Sequence, residues 1–152
     1  MYLGRYCGTL PGALAFHTAS VCIPPSYVAK AHNTFGPSLN ICTVIGFPLG
    51  YSTTESKLRE AESAINDGAS ELDMVINIGD VKNGDFKRVY EEILAIRKIS
   101  AEQILKVIIE TCYLTEAEKS GSVKSSQKPE QTISKLPPVL APEARDGRYF
   151  IV

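Results

Sequence analysis

Three short runs rich in Val and Ile set the limits on this fold: ICTVIGFPLG (Ile41–Gly50), GASELDMVINIG (Gly68–Gly79) and LKVIIETCYLT (Leu105–Thr115). Each ends in polar or glycine-containing sequence. Helix-patterned stretches lie between them. That alternation predicts a parallel α/β arrangement. A fourth strand is expected at Ala19–Ile23, closed by Pro24 and Pro25. The expected strands are thus Ala19–Ile23, Ile41–Ile45, Leu72–Ile76 and Leu105–Ile109. They should be parallel and lie in sequential order, because right-handed helical crossovers make successive strands neighbours.

Helix signals fill the gaps. Ser26–Asn33 is a short helix candidate. Thr53 or Thr54 can cap a helix that places Leu58, Ala61, Ala64 and Ile65 on one face and stops at Asp67-Gly68. The Asn83-Gly84-Asp85 turn precedes a helix over Asp85–Ile99, with Phe86, Val89, Ile93 and Ile96 at helical spacing. Thr115-Glu116-Ala117-Glu118 opens another. The run around Leu72, Met74, Val75 and Ile76 is apolar on both faces, as in a sheet covered on both sides.

The 152 residues are 44% hydrophobic, which predicts one globular domain. A net charge of -1 gives no broad attraction for nucleic acid or an anionic membrane. No apolar run is long enough to span a bilayer, and no signal-peptide pattern opens the sequence, so the cytoplasm is the expected location. Cys7, Cys22, Cys42 and Cys112 form no CxxC pair, and His17 and His32 lie far in sequence from Cys42 and Cys112. No metal site is expected on spacing, and Cys22, Cys42 and Cys112 read as reduced thiols in or beside apolar strands.

From about Ala13 to Lys119 these segments closely resemble deoxyribose-phosphate aldolase, a Schiff-base enzyme family built on a (β/α)8 barrel. A complete barrel needs about 250 residues, so a partial barrel of about four parallel βα units is expected. The resemblance implies aldol cleavage of 2-deoxyribose 5-phosphate to glyceraldehyde 3-phosphate and acetaldehyde, through a lysine Schiff base and without a cofactor. It implies a small phosphorylated sugar as partner, with no nucleic acid and no membrane. The open edges of a half-barrel suggest self-association.

By resemblance, Asp73 matches the family's proton-relay aspartate; a structural salt bridge is the competing reading. Lys106 matches a pocket lysine, against a strand-start lysine exposed at the bottom of the barrel. Cys22 matches a cysteine near the substrate, against a buried structural thiol. Glu110 ends the fourth strand, where barrel sites are built, against a helix-capping role. Thr43 is expected to face the barrel interior as a packing residue. The Gly46–Gly50 loop only superficially resembles a phosphate cradle, lacking a P-loop's lysine and spacing.

The family's Schiff-base lysine has no counterpart here. Residues 120–152 read as a non-homologous, disordered tail, with clustered Ser, Lys and Gln and with Pro129, Pro137, Pro138 and Pro142. Read one base earlier, codons for Ile133–Val139 permit IKTSTG, similar to the family's lysine signature. Residues 1–12 form an aberrant segment whose codons for Tyr2–Gly12, read one base later, permit a sequence like the family's first helix. These readings imply a frame-shifted, truncated chain that is inactive as written. Lys135 overlaps the shifted lysine codon but sits beside Leu136-Pro137-Pro138, so the role is not carried to it. A non-catalytic half-barrel partner of a full-length paralogue, or a product without function, are the alternatives.

Overall fold

The computed structural model describes Leu10 and residues 12–127. The expected tail beyond Gln127, including Lys135, and most of the aberrant N-terminal segment lie outside the described residues. Four strands form one sheet in the order β1-β2-β3-β4: Val21–Cys22, Ile41–Ile45, Glu71–Val75 and Ile104–Ile108. All three pairings are parallel. This is the parallel α/β arrangement that the alternation of runs predicts, and the partial (β/α)8 barrel that the resemblance implies.

β1 is shorter than expected. Pro24 and Pro25 cannot donate to a ladder, and Pro25–Tyr27 turns into a 3-10 helix. Its ladder still continues through Ile23, whose N–H reaches the Cys42 carbonyl at 3.0 Å. β3 and β4 each begin and end one residue earlier than expected, while β2 matches.

Helix α1 (Val28–Phe35) follows β1, and α2 (Thr54–Asn66) follows β2. Thr53 caps α2 by accepting from the Ser56 N–H. Gly50, at φ +70°, permits the connecting loop to close, since a Cβ there would stand 1.9 Å from the Ile76 carbonyl oxygen. After β3 comes a short helix that periodicity did not reveal, α3 (Ile78–Lys82), capped by the Asn77 side chain on the Gly79 N–H. Asp85 caps α4 (Phe86–Ile99) through the Arg88 N–H.

The last helix, α5 (Glu116–Gln127), runs on past Lys119. Thr115 and Glu118 form a reciprocal capping box, with the Thr115 N–H to Glu118 Oε2 at 2.7 Å and the Glu118 N–H to Thr115 Oγ1 at 3.4 Å. Beyond Lys119 small residues replace the usual apolar stripe. Gly121 lies so close to the Phe86 ring that a Cβ would meet it at 2.4 Å. Ser122 and Ser125 are buried, and their hydroxyls bond back to the Glu118 and Gly121 carbonyls. Close approach rather than hydrophobic periodicity seats this helix, so a search for apolar spacing reads it as irregular.

Alternation assigns the two sheet faces. Ile41, Ile45, Leu72, Met74, Leu105 and Val107 join one core with Ala61, Ala64, Val89, Ile93 and Ile96 of the helices. Thr43 shares that face by its register with Leu72, so it points toward the helices rather than the barrel interior. Its hydroxyl donates to the Ile23 carbonyl at 2.8 Å. Lys57 is also on the helix side and fully buried, with Nζ 2.8 Å from both the Val75 carbonyl and Glu92 Oε2. As a charged residue it lies outside the apolar spacing that marks the buried face of α2.

Candidate active site

The opposite face carries charge. Cys22 and Cys42 are register partners, Cys42 pairs with Glu71, and Asp73 pairs with Lys106. A two-residue repeat therefore puts Cys42, Glu71, Asp73 and Lys106 on one surface although they are distant in sequence. Lys106 Nζ lies 2.7 Å from Asp73 Oδ1 and 3.1 Å from Glu71 Oε2. It also donates to Cys42 Sγ at 3.4 Å. The Ser20 hydroxyl donates to Glu71 Oε2 at 2.9 Å.

Lys106 is thus a partly buried strand residue clamped by two carboxylates. Burial alone would lower its pKa. Its hydrogen bond to Asp73, then the nearby Cys42 sulfur, the charge of Asp73 and the contact with Glu71, outweigh burial and raise it above the ordinary lysine value. An amine held this way stays an ammonium at neutral pH, able to orient an anion or give a proton but poor as a nucleophile.

Cys22 sits at the exposed end of the row. Its hydrogen bond with Cys42 lowers its pKa to about 7, against burial and the charge of Asp73. The same bond raises the Cys42 thiol, which acts as the donor. Cys22 also lines a cleft of about 580 Å³ with Pro24, Val44, Phe47 and Glu60.

The structure thus brings Asp73, Lys106 and Cys22 together. Glu110 stands apart from them at the end of β4. It has a left-handed backbone (φ 49°) and accepts from the Cys112 thiol at 3.1 Å. Its side chain makes no capping bond to the 3-10 turn at Thr111–Tyr113. In the Gly46–Gly50 loop, the Gly46 N–H is already taken by Glu60 Oε2 at 2.7 Å. Glu71 and Cys42 were not expected in the site. Glu71 was legible, since it stands two residues before Asp73 on the same strand face; Cys42 needed the pairing register.

Sequential parallel βα units with an acid–lysine cluster on one sheet face define a partial barrel of the (β/α)8 class. Residues 9–135 match the family described as DeoC/LacD family aldolase. A deoxyribose-phosphate aldolase of Clostridium botulinum (strain Alaska E43 / Type E3) is 55% identical over 113 residues, covering 74% of this chain and 51% of that protein. One from Streptococcus pyogenes serotype M4 is 59% identical over 109 residues, covering 72% and 49%. Among solved structures, "QR15, an Aldolase" superposes with a TM-score of 0.76 at 34% identity, covering 80% of this chain and 55% of that one. The tetrameric deoxyribose phosphate aldolase of Aeropyrum pernix gives 0.72 at 29% identity, covering 79% and 51%. The chain belongs to the DeoC/LacD aldolase family. It spans about half the length of the curated relatives it matches.

Proposed function

We propose that this chain carries one half of a deoxyribose-phosphate aldolase pocket and that, assayed alone, it does not turn over sugar phosphate. The observation behind this reading is the clamped Lys106. Schiff-base chemistry needs a neutral amine near the substrate carbonyl. Even an unperturbed lysine, with a pKa of about 10.4, is less than about 0.1% neutral at pH 7, and Lys106 is raised further. In this reading Asp73 is the proton-relay carboxylate and Lys106 its ion-pair partner. Cys22 lines the substrate side, and Glu110 stands at the rim. The substrate class is a phosphorylated 2-deoxy sugar, and the place of action is the cytoplasm. A frame disruption follows the barrel in this reading, which sequencing the gene across the codons for Lys119 and Ser120 would test.

Borohydride trapping with deoxyribose 5-phosphate is the direct experiment. The expected result is no adduct and no retro-aldol turnover, with both recovered when the shifted frame and the remaining strands are supplied. An adduct on the chain as written would overturn inactivity, and the modified lysine would identify the nucleophile.

A second reading has its own support. β1 and β4 each have one pairing neighbour among the described strands, and such edges are sites for strand addition. A non-catalytic half-barrel would use them to pair with itself or with a longer relative. Sedimentation showing a compact, cooperatively unfolding monomer would rule this out.

A further inference from the structure

Cys22 Sγ, Cys42 Sγ and a carboxylate oxygen of Asp73 all lie within 4.8 Å of one another. They come from three successive strands, so no local spacing betrays them. We propose that Cys22, Cys42 and Asp73 form a site for a thiophilic divalent cation of the zinc type, and that the Lys106 ammonium is the internal cation it displaces.

The donor set selects the metal class. Two sulfurs and one carboxylate favour zinc, cadmium or cobalt over magnesium or calcium, which prefer all-oxygen sites. Tetrahedral zinc takes sulfur at about 2.3 Å and oxygen at about 2.0–2.2 Å, so its ligand atoms lie about 3.3–3.8 Å apart. The cluster meets that with small side-chain adjustments. Three protein ligands leave a fourth position, and the exposed Cys22 and its cleft give solvent access to it.

The charge at the cluster points the same way. Asp73 is 8% exposed, and its buried Oδ1 faces a cation. Its counter-charge is the Lys106 ammonium at 2.7 Å, which also contacts Cys42 Sγ. A cation already occupies the point where those two ligands converge. When a metal takes that place, Lys106 keeps Glu71, now 3.1 Å away. Binding forms two metal–sulfur bonds and one metal–oxygen bond, and any thiol proton leaves to solvent. Two thiolates and Asp73 then face the divalent metal while Glu71 faces the ammonium, four negative charges against three positive, with no oxidation or reduction.

The test uses the full-length chain with Cys7→Ser and Cys112→Ser, leaving Cys22 and Cys42 as its thiols. Cobalt(II) is titrated under reducing, anaerobic conditions, with thiolate-to-cobalt charge-transfer absorption as the readout. One equivalent should saturate the signal, zinc should abolish it, and Cys22→Ser or Cys42→Ser should each remove most of it. Lys106→Met should tighten binding by about tenfold or more, because a competing charge is gone. A gain of affinity is not a consequence of misfolding. Absence of the charge-transfer band, its persistence after Cys42→Ser, or weaker binding by Lys106→Met would overturn the proposal.

Discussion

The two faces of the sheet are made from alternate residues of the same strands, yet they are stabilised differently. On the helix side Ile41, Leu72, Met74, Leu105 and Val107 are at most 1% exposed and meet apolar helix faces. That face is complete within the chain. On the other side Cys42, Glu71, Asp73 and Lys106 hold one another by charge and hydrogen bonds. Among the described residues, four strands present this face in an open sheet. One face therefore supplies stability, and the other holds costly groups together for chemistry. Lys57–Glu92 is a charge pair on the apolar side and provides the internal contrast: it is sealed, with one ion fully buried.

That contrast can be broken in order of effect. Glu92→Gln removes the counter-charge of the buried Lys57 ammonium, leaving it the Val75 carbonyl, and should lose about 3–5 kcal/mol in urea unfolding. The double change to Lys57→Met and Glu92→Leu should recover much of the loss. Ile93→Ala opens a cavity in the helix-side core and should cost about 2–5 kcal/mol by the same assay. Lys106→Met on the polar face should cost less, about 1–3 kcal/mol, because Asp73 and Glu71 retain some exposure. Equal losses for Glu92→Gln and Lys106→Met would erase the distinction between sealed and open charge.

Two smaller effects sharpen it. With chelator present, iodoacetamide should alkylate Cys22 before Cys112, since the Cys42 hydrogen bond lowers Cys22 while the Glu110 hydrogen bond raises Cys112. The Cys22 rate should climb through pH about 7 as the thiolate forms, and Cys42→Ala should move that midpoint upward. At the far end, the Thr115 N–H and then Lys82 depress Glu118 to about 2. Its support of α5 is complete above the ordinary glutamate pKa and disappears as pH falls through about 2. Circular dichroism should show helix lost in that window, and Glu118→Gln should remove the pH dependence.

The strands and the capped helices were legible because each is written locally. Val and Ile runs set β2, β3 and β4, Thr53 and Asp85 begin helices, and glycines close turns. Asp73 and Lys106 were legible as isolated polar groups in apolar strands. Their partnership with Cys42 and Glu71 was not, because it depends on register between strands 29 or more residues apart. Lys57 escaped for a related reason: a lysine at the head of an amphipathic helix ordinarily reads as solvent-facing. The Gly121–Phe86 approach is the opposite case, where a small residue marks burial and apolar periodicity is silent.

The sequential strand order also bears on how such a chain is made. Each strand pairs with the one translated just before it. During synthesis, β2 can dock on β1, β3 on β2, and β4 on β3, so every new strand meets a partner already waiting. The sheet grows at one lip, in the direction of the ribosome. A nascent chain stopped after any whole βα unit would still present a partly assembled sheet, not a tangle of unmatched segments. The polar face fills in the same sequence, with Cys22 first, Cys42 next, and the carboxylates before the lysine that neutralises them. For an interval during translation, Asp73 and Glu71 exist without Lys106, and water must do its work.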